Sequence, residues 1–229
     1  MFQPNKIIEE QITQFKLVSI EAKKSIEYLN SIRNIKNIQH TVIIISFARV
    51  IQYFDAYIEL VERGFVEPSA TLLRSIYHTV IWMRWSLLSD NNAQIYFNIG
   101  QQELKRILNK LTSKKIVNFG NTPNQEETKT ILKEITSKIP MPQVSDMAID
   151  VGYGEYHALT YNTLSAISHG SLMFFDENKN ISYLPNGNDI EKYFELANNF
   201  FLDCILISEE FIKNGTIRKV PDILKLTGF

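Results

Sequence analysis

The strongest pattern of apolar and polar positions runs from Ser69 to Leu88. At about 100° per residue, Leu72, Leu73, Ile76, Tyr77, Val80, Met83, Leu87 and Leu88 spread round most of a helix circumference. A helix enclosed by other helices has this pattern, so the stretch predicts the central helix of the fold. One narrow stripe differs. Thr71, Arg74, Ser75, His78, Trp82, Ser86 and Ser89 gather on one side, and Arg84 points away from them. Burying an arginine or histidine is costly unless it is paired, so the stripe must face a hydrogen-bond network or a pocket.

The flanking pattern predicts more helices. Over about 5–34, Ile8, Ile12, Phe15, Ser19, Ala22, Ile26 and Leu29 step by fours and threes, a seam that packs on the bundle or on a second copy. A polar break at 33–37 leads to a helix over about 39–63, with Arg49, Gln52, Asp55, Glu59 and Glu62 on its polar face. Gly64 supplies a left-handed stop and Pro68 opens the central helix, so the two are antiparallel neighbours. Further helices are predicted over 93–110 after a cap at 90–92, over 123–138, over 146–151, over 155–168 and over 188–213. Gly152 and Gly154 turn the chain between two of these, and Asn188 with Glu191 forms a capping box for the last. Few segments alternate with period two. The expectation is an all-α, single-domain bundle of about seven helices. Residues 1–38 form an N-terminal helix and linker, 39–214 the bundle core and 215–229 a tail.

Composition narrows the function classes. The 229 residues are 45% apolar and 21% charged, an ordinary globular balance. A formal net charge of −1 gives no global field toward nucleic acid or anionic membrane, although a local basic patch can still act. The single cysteine, Cys204, excludes an intramolecular disulfide framework and suits a reducing cytoplasm. The opening residues lack the apolar core of a secretory leader. The run 42–48 is too short to span a bilayer, and 69–88 carries Arg74, His78 and Arg84. A cytoplasmic protein with no membrane partner is expected.

No phosphate loop, nucleophile elbow, zinc-protease helix or dinucleotide fingerprint is present. His40, His78, His157 and His169 have no metal-ligand spacing, so neither metal nor cofactor is expected. Trp82, Trp85, Tyr77, Phe97 and Phe201 fall at helical spacing and read as core rather than a base-stacking platform. A second polar concentration lies at 161–170, where Tyr161, Leu164, Ser165, Ser168 and His169 share one helical face. At a helix C-terminus His169 is favoured in its protonated form.

The segments Leu72-Leu-Arg-Ser-Ile-Tyr-His78 and Tyr161-Asn-Thr-Leu-Ser-Ala-Ile-Ser-His169 resemble a bacterial helical family catalogued as a domain of unknown function, over roughly 39–171. By that resemblance Arg74, Tyr161, Ser165 and His169 are the family positions, and His78 stands where the family usually has glutamate. More distantly, an arginine and histidine one helical turn apart on a bundle resemble the HEPN group of small RNases and nucleotide-binding proteins. That group uses a longer spacing than the three residues between Arg74 and His78. The HEPN resemblance implies a metal-independent RNase, or a nucleotide- or RNA-binding protein, in defence or stress response. Arg74 would clamp phosphate, His78 or His169 would be the base, and Tyr161 and Ser165 would hold the ligand. The alternative is a non-catalytic module for a protein partner or a homodimer, in which Arg74 crosses the core to Asp55 or Glu59.

Overall fold

The computed structural model describes residues 6–31, 37–113, 140–168, 174–175, 181–182 and 187–214. Helices α1 (Lys6–Ser31), α2 (Ile38–Glu62), α3 (Val66–Leu87) and α4 (Asp90–Ser113) follow one another, and α5 (Val144–Asp150) is short. Next, α6 is a composite of an α-turn (Gly154–Tyr156), a π-turn (His157–Tyr161) and a last α segment (Asn162–Ser168). The described part ends in α7 (Gly187–Asn214). A two-residue antiparallel pair, Phe174–Phe175 with Ile181–Ser182, is the sole departure from an all-α architecture among the described residues. The expected helix over 123–138 lies outside them.

Each boundary has a local cause. Asn37 accepts a hydrogen bond from the Gln39 amide at 2.8 Å and so caps α2. At the other end Gly64 adopts φ 76°, while Phe65 N–H reaches the Leu60 carbonyl at 2.8 Å and Gly64 N–H reaches Val61 at 3.0 Å. This pair of bonds is the Schellman stop, and it turns the chain back into α3. Gly152, with φ 87°, ends α5 in the same way. Two starts fall earlier than expected. Pro68 sits inside the first turn of α3, where its missing N–H costs nothing, so the helix opens at Val66. Ser89 Oγ takes the Asn92 amide at 3.1 Å, which caps α4 at Asp90 instead of Ala93.

As its pattern predicts, α3 is central and packs against α2, α4, α5, α6 and α7. Leu73, Ile76, Tyr77, Val80, Ile81 and Met83 are wholly buried. Phe54 of α2 and Phe201 of α7 stack at 4.1 Å between ring centres and tie those helices across the core. On the outer side α1 lies along α2, burying Ile12, Ser19 and Ala22. Among the described residues α2 alone is long and apolar enough to cross a bilayer, and half of its most apolar window is buried inside the bundle.

Arg84, on the face of α3 away from the polar stripe, is buried in the core. Its Nε donates to Asp203 Oδ2 of α7 at 2.6 Å and its Nη2 donates to Oδ1. Tyr153 O–H donates to the same carboxylate at 2.7 Å. Burial opposes the guanidinium charge, but Asp203 outweighs it and raises the Arg84 pKa, so the guanidinium stays charged in the core. Burial likewise pushes the Tyr153 hydroxyl well above its ordinary range.

Candidate functional site

The polar stripe of α3 divides along its length. Trp82 and Ser86 turn into the core. Thr71, Arg74, Ser75 and His78 instead line a cleft of about 300 Å³ together with Arg49 and Tyr53 of α2, Thr79 of α3 and Tyr161 of α6. Residues four apart lie on one side of a helix, which sets Arg49 above Tyr53 on one wall and Arg74 above His78 on the other.

Tyr161, the last residue of the π-turn, lines the cleft. The rings of His157 and Tyr161, at the two ends of this turn, stack at 4.8 Å and 12°. His157 Nδ1 is hydrogen-bonded to the Tyr77 hydroxyl at 2.9 Å, which anchors the stack to the core helix. The Tyr161 ring then lies under Arg74, whose Cζ is 5.1 Å from its centre. Arg74 Nη2 donates to the Tyr161 hydroxyl at 3.1 Å. That hydroxyl accepts from arginine, and it can still donate its own hydrogen to a ligand.

Neither carboxylate anticipated for Arg74 meets it. Asp55 is held by Ser19 Oγ and Lys23 Nζ of α1, each at 2.5 Å, and Glu59 pairs with Arg63 at 3.3 Å. Among the described residues, no acidic side chain forms an ion pair with Arg49 or Arg74. Among the described residues, the two guanidinium groups therefore share one cleft with no carboxylate ion-paired to either. The cleft hydroxyls of Ser75 and Thr79 donate back to the carbonyls of Thr71 and Ser75, at 3.0 and 2.8 Å. The hydrogen-bond donors that remain toward the cleft come chiefly from Arg49, Arg74 and the tyrosines. A site rich in donors suits a ligand rich in acceptors, above all an oxyanion.

His78 is held differently from a free base. Trp82 Nε1 donates to its Nε2 at 3.2 Å, so the neutral ring carries its proton on Nδ1. Burial lowers its pKa first, and the charges of Arg74, Arg49 and His157 lower it further. His78 is thus a neutral imidazole at neutral pH, a donor through Nδ1 rather than a poised proton acceptor. Ser165 is half-buried on α6 and does not line the cleft. His169 lies outside the described residues. The structure therefore brings Arg74, His78 and Tyr161 together and adds Arg49, which the sequence pattern assigned to an ordinary polar face, and Tyr53, which it left unmarked.

A second, more apolar lobe of about 470 Å³ adjoins the first and shares Arg49, His78 and Thr79 with it. Its wall includes Trp82 and, from α4, Tyr96, Phe97 and Leu104. Here one expectation needs correcting. Phe97 is not core: it is 39% exposed and stands on the wall of this open lobe. The other four aromatics assigned to the core are indeed buried. Among the described residues no three His, Cys, Asp or Glu side chains converge as metal ligands would.

No curated protein and no solved structure matches the chain. A family model does match, across residues 40–183, a span that takes in nearly all of α2, then α3, α4 and the π-turn, and so contains every cleft residue named above. The chain belongs to DUF5677, a family of unknown function.

Proposed function

We propose that the cleft between α2, α3 and α6 binds the phosphate of a nucleotide or of an RNA strand. The observation that carries this reading is the convergence of Arg49 and Arg74 on one cleft with no carboxylate paired to either among the described residues. An oxyanion between two guanidinium groups neutralises their charge and accepts several charge-assisted hydrogen bonds. Tyr161 supports the ligand side of Arg74 and fixes its guanidinium plane.

Cleavage of RNA, as in a HEPN-like nuclease, is a further step that needs a base. His78 would have to release the Trp82 N–H before its Nε2 could take a proton, so the geometry favours binding over hydrolysis at this residue. Arg74 would supply the stabilising charge in either case.

Calorimetric titration with inorganic pyrophosphate tests the reading. Saturable binding is expected, weakened about tenfold by Arg49→Gln or Arg74→Gln, as loss of one charged hydrogen bond implies. Absence of binding, or equal binding by the double variant, would overturn it and favour a module that recognises a protein. Incubating the protein with RNA in chelator, beside His78→Ala and His169→Ala, tests cleavage separately.

A further inference from the structure

The cleft is chemically two-sided. Its cationic lobe, with Arg49 and Arg74, opens into an apolar lobe walled by aromatic rings, and Arg49, His78 and Thr79 belong to both. A ligand that fills both lobes must join an anionic group to a flat, largely apolar body. We propose that the ligand is a free mononucleotide, its phosphate on Arg49 and Arg74 and its base against Tyr96 and Phe97 in the apolar lobe. This rests on the phosphate reading above and makes it specific.

Three observations favour a single nucleotide over a strand. The combined space lies within the range of ordinary small-molecule pockets. Among the residues lining the apolar lobe, Arg49 is the sole arginine or lysine, and the lining carboxylate of Glu103 is ion-paired with Arg106. A continuing strand would therefore find no lining cation beyond Arg49 for its next phosphate in this lobe. The exposed Phe97 ring and the half-buried Tyr96 ring offer π-faces to a heterocycle, and the Gln101 amide on the same lobe can donate to and accept from its edge.

Gly100 supplies a clean test. It lies on α4 within the lining of the apolar lobe, and a Cβ added there would meet no atom within 4 Å. A leucine at this position keeps the helix, since glycine is the poorer helix former, yet fills the lobe. The experiment is calorimetric titration of the full chain with ribose 5-phosphate, adenosine 5′-monophosphate, uridine 5′-monophosphate, octyl phosphate and a ten-nucleotide RNA.

At least one mononucleotide is expected to bind on the order of tenfold more tightly than ribose 5-phosphate, the worth of a stacked base. Gly100→Leu should erase that advantage and leave ribose 5-phosphate binding unchanged, whereas Arg74→Gln should weaken both ligands. Equal affinity for mononucleotide and ribose 5-phosphate would overturn the base-binding inference while the phosphate reading survives. Tighter binding of octyl phosphate or of RNA than of either mononucleotide would overturn it in favour of an acyl chain or a strand. No binding by any phosphate would sink both readings.

Discussion

Truncating Arg74 to alanine removes one hydrogen bond to the Tyr161 hydroxyl, at 3.1 Å, and one guanidinium–ring contact, at 5.1 Å. The net worth of such a hydrogen bond is about 1 kcal/mol, and of a half-exposed cation–π contact about 0.5–1 kcal/mol. No carboxylate ion-paired to Arg74 among the described residues is stranded by the change. The expected loss of folding stability is therefore only about 1–2 kcal/mol. Had Arg74 crossed the core to Asp55 or Glu59, the same change would have left a buried charge alone, at a cost of about 3–5 kcal/mol. Urea unfolding of wild type and Arg74→Ala, fitted with a common slope, separates the two cases. A loss above about 3 kcal/mol would refute the reasoning, since it would show that Arg74 holds a structural partner.

Asp203→Ala is the contrasting case: it leaves the Arg84 guanidinium buried without its carboxylate, and unfolding should reveal a loss of about 3–5 kcal/mol. Histidine titration sets the acid limb of stability. Burial first, then the charges of Arg74, Arg49 and His157, holds His78 below its ordinary 6.5, and burial holds His157 below it too. In acid the unfolded chain therefore binds protons that the native state refuses, so stability is full above about pH 6.5 and falls as pH drops below it. Unfolding curves from pH 7.5 down to 5.5 should show this decline, shallower in His78→Gln; a decline of unchanged steepness would exclude His78 as its source. Burial, with the Asp203 charge, also pushes the Cys204 thiol far above its ordinary range. A thiol reagent should then label Cys204 only as fast as the protein unfolds, and prompt labelling of the native chain would contradict its burial.

How much of this was legible in the sequence depended on whether the signal was local. The central place of α3 followed from its apolar residues wrapping the helix, and Gly64 and Gly152 marked their stops because only a residue without Cβ takes those φ values cheaply. Arg74, His78 and Tyr161 stood out as polar groups within apolar stretches, and they do meet. Arg49 stood out less, since it sits among Gln52, Asp55 and Glu59 on what reads as a solvated face. Which part of that face turns toward Arg74 is set by how α2 rotates against α3, a property of two helices that neither sequence carries alone. The π-turn that stacks Tyr161 on His157 leaves no mark in periodicity either. The pairing of Arg84 with Asp203 spans 119 positions, and an arginine on an apolar face announces only that some partner exists.

The most direct test of the central claim is a crystal structure grown with adenosine 5′-monophosphate. The account predicts phosphate density within hydrogen-bonding distance of both the Arg49 and Arg74 guanidinium groups, with the Tyr161 hydroxyl beside it. Both arginines found paired with carboxylates of their own chain, and the phosphate absent or bound elsewhere, would contradict it.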